Sequence, residues 1–166
     1  MEFRDSQTYQ NLREALNREL MSSAKYSIYA KKARKDGFQQ IGDLFDETSR
    51  NECEHAEIWM KLLHDGELPH TTDNLREAIS GENYEWNTMY QQFADTARQE
   101  GYPQIADKFE RVAKIENNHD GRFEALVWNI DSGKAFCREN EAVWVCANCG
   151  NLVWDRCAPD PCPVCV

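Results

Sequence analysis

Residues 52–55 read Glu-Cys-Glu-His, and residues 116–119, 64 positions on, read Glu-Asn-Asn-His. Side chains three apart on a helix share a face, so each stretch would present one carboxylate and one imidazole side by side. Working outward, the shift of 64 also superposes Tyr26 on Tyr90, Ala30 on Ala94, Ala33 on Ala97, Arg34 on Arg98, Gly37 on Gly101, Ile41 on Ile105 and Phe45 on Phe109. Thr8 to Lys35 is rich in helix formers, lacks Gly and Pro, and stops at Gly37; Phe38 to Leu63 continues and stops near Gly66. Pro69 and Thr71-Thr72-Asp73 mark a connection. A third helix is expected from about Gly81 to Gln99, preceded by a short turn around Leu75 to Ile79. A fourth should start near Pro103 and run to about Asn129. A repeated pair of helices predicts two helical hairpins packed as an all-α four-helix bundle. The single longer crossover, around residues 64–74, is the ferritin-like connectivity.

The charged residues fall on the faces that should point inward. Phe45, Thr48, Glu52, Ala56 and Trp59 share one face of the second helix, and Ile105, Phe109, Val112, Glu116, His119 and Phe123 share one face of the fourth. Glu19 sits among Leu12, Ala15, Leu16 and Tyr26 on the first helix, and Glu82 and Glu85 lie three apart on the third. One Glu-x-x-His pair is ordinarily a solvated face. Five acids aimed into one core are different, because each unpaired buried carboxylate costs several kcal/mol. Two divalent cations remove that cost, and a Glu from each of two helices plus Glu-x-x-His from each of the other two is the donor pattern of a carboxylate-bridged di-iron bundle. Oxygen-rich ligation with two imidazoles suits iron or manganese better than a closed zinc site. The pattern predicts Glu52 and Glu116 as bridges, Glu19 and Glu85 terminal at one metal, Glu82 and His119 at the other, and His55 near the first. Tyr26 and Tyr90 are candidates to hydrogen-bond the ligand carboxylates, or plain core aromatics.

After Ile130 the composition changes. Residues 131–141 read as a polar linker between a bundle (1–130) and a small domain (142–166) that holds five cysteines. Cys146-Ala-Asn-Cys149 and Cys162-Pro-Val-Cys165 are two knuckles, and two Cys-x-x-Cys pairs in so short a piece make a tetrahedral four-sulfur metal site. Iron there would carry electrons and zinc would be structural. Cys137 and Cys157 read as structural or incidental, with a redox role as the lesser reading, and Cys53, about 100° from Glu52, as packed between helices. His64 and His70 read as surface residues.

The 166 residues carry a net charge of −10 and 41% hydrophobic residues. An acidic surface repels phosphate backbones and anionic lipid, which argues against nucleic-acid and membrane-surface partners. No apolar run of about 18 residues and no apolar N-terminal segment occur, so a cytoplasmic protein is expected. Seven cysteines in a reducing compartment then point to metal ligation rather than a disulfide scaffold.

Glu19, Glu52-x-x-His55, the segment Gly81-Glu-Asn-Tyr-Glu-Trp86, Glu116-x-x-His119 and two knuckles separated by twelve residues together closely resemble rubrerythrins over almost the whole chain. The resemblance implies a ferritin-like bundle with a rubredoxin-like C-terminal domain. It implies a peroxidase that reduces hydrogen peroxide to water, with two irons in the bundle and one at Cys146, Cys149, Cys162 and Cys165. Zinc can substitute at either site. It implies electron supply from rubredoxin or an NAD(P)H-dependent reductase, and an iron that shifts between Glu85 and His55 with oxidation state. A homodimer or homotetramer is implied, in some members with helices exchanged between subunits. The extra pair Cys137 and Cys157 departs from the family pattern, as does a chain ending at Val166, one residue past the last cysteine. Two other readings share these residues: a ferroxidase or iron-handling ferritin-like protein, which needs no cysteine domain, and a non-enzymatic iron sensor with a zinc ribbon.

Overall fold

The computed structural model describes residues 2–165. After a short 3-10 turn at Phe3–Asp5, the elements are α1 (Gln7–Lys35), α2 (Gln39–Leu63), α3 (Thr71–Tyr84), a π-helical turn (Glu85–Met89), α4 (Tyr90–Gln99), α5 (Pro103–Asp131), β1 (Cys137–Val145) and β2 (Leu152–Cys157). This is the expected class: helical hairpins of ferritin-like type followed by a small cysteine-rich ribbon. None of the helices is long and apolar enough to cross a membrane. The chain divides into two compact units, one up to Pro69 and one from His70.

In the first unit, α1 and α2 form a hairpin. Ser6 caps α1 by accepting the Tyr9 N–H at 3.1 Å, and Lys32, Arg34 and Lys35 place positive charge on its C-terminal dipole. Gly37 then turns the chain at φ 89°, with the Phe38 N–H closing onto the Ala33 carbonyl at 2.9 Å. The seam holds small residues: Ala30, Ala33, Gly42 and Ala56 are buried. A Cβ built on Gly42 would lie 2.8 Å from Arg34 Cγ and 3.2 Å from the Ala30 carbonyl oxygen, so the two helices cross there at close range. Arg34 bridges the hairpin to Asp43 (2.8 Å) and Asp46 (2.5 Å).

The second unit repeats this construction. Gly101 turns at φ 86° and the Tyr102 N–H meets the Ala97 carbonyl at 2.7 Å. Ala94, Ala97 and Ala106 are buried against Phe109, and Arg98 reaches Glu110 at 2.6 Å. The aromatic packing is copied too. Tyr26 and Tyr29 lie 5.9 and 5.6 Å from Phe45 between centroids, and Tyr90 and Phe93 lie 5.9 and 5.6 Å from Phe109.

The third long helix differs from the sequence expectation. It begins at Thr71 rather than near Gly81, and no separate turn occupies residues 75–79. Gly81 lies inside α3, since an interior glycine weakens a helix without ending it. The earlier start exposes a longer repeat: Asn11-Leu-Arg-Glu-Ala-Leu16 matches Asn74-Leu-Arg-Glu-Ala-Ile79 at a shift of 63, as does Glu19 with Glu82. The shift becomes 64 at Tyr26 and Tyr90. The π-helical turn at Glu85–Met89 lies between and absorbs the extra residue, since a π turn is the usual way a helix accommodates one.

β1 and β2 form an antiparallel two-stranded ribbon with Ala142 opposite Asp155 and Val145 opposite Leu152. β1 starts at Cys137, inside the segment expected to be linker. Cys53 is exposed on α2 rather than packed between helices, because the seam of this hairpin runs through Gly42 and Ala56 instead. The close crossing at Gly42 generates a prediction. Gly42→Val should force Arg34 off Asp43 and Asp46 and cost about 1–3 kcal/mol, read as a lowered urea midpoint.

Candidate metal centres

Helical spacing brings donors together in each unit separately. In the first, α1 supplies Glu19 and α2 supplies Glu52 and His55, with one donor atom from each lying within 4.8 Å of the others. His55 Nδ1 is 3.0 Å from Glu52 Oε2 and 3.9 Å from Glu19 Oε2. In the second, α3 supplies Glu82 and α5 supplies Glu116 and His119, again within 4.8 Å. There His119 Nδ1 is 2.7 Å from Glu116 Oε2 and 3.6 Å from Glu82 Oε2. Two carboxylates and one imidazole recur on the same side of each hairpin.

The local electrostatics ask for a cation. Burial raises the Glu82 carboxyl above its ordinary pKa, and the charge of Glu116 raises it further, partly offset by His119. Glu85 is outside both three-donor groups. It opens the π-helical turn, and its charge raises Glu82 and also Tyr90, whose hydroxyl is pushed up first by burial and then by Glu85, Glu116 and Glu82. Tyr90 thus stands in the field of these acids while its ring packs on Phe93 and Phe109. Tyr26 packs on Tyr29 and Phe45. A divalent ion would relieve this crowding of like charge, and a donor set of oxygens plus imidazole fits iron.

Sequence reasoning missed Asp120. It is 5% exposed, and its Oδ2 accepts from Asn83 Nδ2 at 3.0 Å and from Trp86 Nε1 at 2.8 Å. These donors follow Glu82 and Glu85 directly in sequence, so a carboxylate on α5 fixes the rotation of the turn that carries both acids. The signal was present, since Asp120 falls four residues after Glu116 and hence on the same helical face.

In the ribbon domain the four knuckle sulfurs converge. Cys146 Sγ is 3.7 Å from Cys165 Sγ and Cys149 Sγ is 3.8 Å from Cys162 Sγ, with all four donors within 4.8 Å of one another. A tetrahedron with metal–sulfur bonds of about 2.3 Å has edges of about 3.8 Å, so the cage has the size of a four-thiolate metal site. Backbone N–H groups of Cys149 and Asn148 hold the Cys146 thiol down to about 6, and those of Val164 and Cys165 lower Cys162. Cys149 receives one such bond from Asn151, but its sulfur neighbours and burial push it up to about 12. Outside the cage, Cys137 and Cys157 are joined by a disulfide. A structural pair fits the expectation for these two residues, while the bond itself departs from the expectation that the chain carries no disulfide scaffold. The two residues are directly paired across the ribbon, a proximity their 20-residue separation in sequence does not reveal.

The rubrerythrin family model matches residues 10–127 and again 73–147. Rubrerythrin of Porphyromonas gingivalis is 37% identical over 171 residues, covering 96% of this chain and 86% of its own. Rubrerythrin of Nitratidesulfovibrio vulgaris is 37% identical over 171 residues, covering 96% and 90%. Rubrerythrin of Clostridium perfringens is 37% identical over 177 residues, covering 97% and 90%.

Two outcomes test these sites. Asp120→Ala would leave Asn83 and Trp86 without their acceptor, costing about 3 kcal/mol in thermal unfolding and lowering metal bound per chain. At the four sulfurs, ligation requires thiolates, and Cys149 keeps its proton up to about 12. Metal binding at neutral pH therefore releases a proton, and affinity should rise about tenfold per pH unit for each proton displaced, measured by competition with a chelator between pH 6 and 8.

Proposed function

Because the chain belongs to the rubrerythrin family, and so to a group of iron proteins, we propose that it is a non-haem di-iron peroxidase that reduces hydrogen peroxide to water. The observation that carries this reading is the coexistence, in one chain, of two carboxylate–histidine donor sets and a four-sulfur cage of tetrahedral size. The first supplies a place to reduce peroxide and the second a way to refill it with electrons.

The residues would divide the work as follows. Glu19, Glu52 and His55 of the first hairpin and Glu82, Glu85, Glu116 and His119 of the second would hold the two irons, with Glu52 and Glu116 as the shared carboxylates. Two irons held there would supply the two electrons that, with two protons, convert one peroxide to two waters. The carboxylates favour the more highly charged oxidised metal, and so favour giving electrons up. Tyr90, raised in pKa by its surroundings, stays a neutral hydroxyl beside these acids. Cys146, Cys149, Cys162 and Cys165 hold one iron that receives electrons from a rubredoxin or an NAD(P)H-dependent reductase. Zinc there would close that route. A homodimer or homotetramer is part of the same reading.

The test is anaerobic. Iron-loaded, reduced protein is mixed with one equivalent of hydrogen peroxide and followed by stopped-flow absorbance. The reading expects both the oxo-bridged di-ferric bands and the ferric four-cysteine bands to appear rapidly. Di-iron bands alone would favour a ferroxidase, and neither would end the assignment. Glu85→Ala should retain its iron and lose peroxide turnover by about 10²-fold or more. Unchanged turnover would remove Glu85 from the mechanism.

A further inference from the structure

The disulfide at Cys137 and Cys157 lies outside the donor sets and is not used by the peroxidase reading. Its place in the ribbon is unusual. The regular ladder runs from Val145 opposite Leu152 to Ala142 opposite Asp155 and is then interrupted. Beyond the interruption, the four residues 138–141 of β1 stand against Arg156 alone, and Cys137 meets Cys157 as the last pair. The backbone bond beyond it is the Ala158 N–H to the Phe136 carbonyl at 2.8 Å. This outermost pair is cut off from the ladder by the bulge, and the crosslink fastens it together with that backbone bond.

The pair also lies next to the second knuckle along the chain. β2 ends at Cys157, and only residues 158–161 separate it from Cys162. The first knuckle lies inside the loop that the disulfide closes and the second lies just outside it. With the bond formed, Cys162 and Cys165 hang from a fixed point by four residues. With it broken, β2 can fray back across the bulge and the second knuckle hangs from a longer, looser tether. A shorter tether raises the effective concentration of two thiolates over the metal. Cys157 is exposed and Cys137 half-buried, so small oxidants and thiols reach the bond.

We propose that Cys137 and Cys157 are a reversible redox pair that clamps the second knuckle and slows metal loss from the four-cysteine cage under peroxide. The chemistry balances. One thiol gives up its proton, its thiolate attacks a peroxide oxygen and breaks the O–O bond, and the expelled hydroxide takes that proton, leaving a sulfenic acid and one water. The second thiol displaces the sulfenic oxygen as another water and forms the S–S bond, so two sulfurs lose two electrons and peroxide gains them. A low-molecular-weight thiol or a protein dithiol reverses it by exchange.

The experiment uses the full chain and does not depend on peroxidase turnover, so this proposal and that reading fail separately. Zinc-loaded protein in the dithiol form receives one equivalent of hydrogen peroxide, followed by alkylation and peptide mass spectrometry. Cobalt(II)-loaded protein, as dithiol and as disulfide, is mixed with excess EDTA and the decay of the four-thiolate absorption is timed. The proposal expects loss of two hydrogens at Cys137 and Cys157 before any knuckle cysteine reacts. It also expects cobalt release about tenfold slower from the disulfide form, a difference abolished in C137S/C157S. Oxidation of the knuckle cysteines first, or equal release from the two forms of the unaltered chain, would overturn it.

Discussion

Glu52 and Glu116 are 19% and 15% exposed at their side chains, and each lies within 3.0 Å of a histidine nitrogen and close to a second acid. Carboxylates placed this way repel each other, and one imidazole per pair cannot neutralise both. The rise in the Glu82 pKa, driven by burial and then by Glu116, is the local sign of that imbalance. The remaining features of the helical units serve to hold these acids where only a cation satisfies them. That constraint selects an oxygen-rich donor set, which suits iron or manganese.

Holding them requires stiff, closely spaced helices. Alanines at equivalent places in both hairpins, Ala30 with Ala94 and Ala33 with Ala97, let the backbones approach, while Arg34 and Arg98 tie the helices with the same ion-pair geometry near the turns. The seam is thus built from small residues, and the larger apolar side chains remain on the outside of each hairpin. A hairpin of this kind is a rigid rail for ligands more than a self-sufficient core.

The departure from internal symmetry is where the second hairpin gains chemistry. One added residue, taken up by the π-helical turn, separates Glu82 from Tyr90 by eight positions where Glu19 and Tyr26 are separated by seven. The turn begins with Glu85, an acid without a counterpart in α1. Asp120 then secures the segment through Asn83 and Trp86. An inserted turn is conformationally loose unless something fixes it, and a buried carboxylate accepting two side-chain hydrogen bonds does so.

The sequence by itself determined the helices, the repeat, the two Glu-x-x-His pairs and the knuckles, because all of these are periodic or short-range. A spacing of three on a helix, or of two intervening residues in a knuckle, forces proximity whatever the rest of the chain does. The full length of the third helix was also written there, in Asn74-Leu-Arg-Glu-Ala-Ile79, but a constant shift of 64 hid it, since the added residue changes the register midway. Only the tertiary structure decided the partners of Asp120, the exposure of Cys53 and the pairing of Cys137 with Cys157. These depend on which faces meet across a hairpin seam or a ribbon, and on where a bulge resets the register. Contacts between residues far apart in sequence are set by that geometry, which no local spacing encodes.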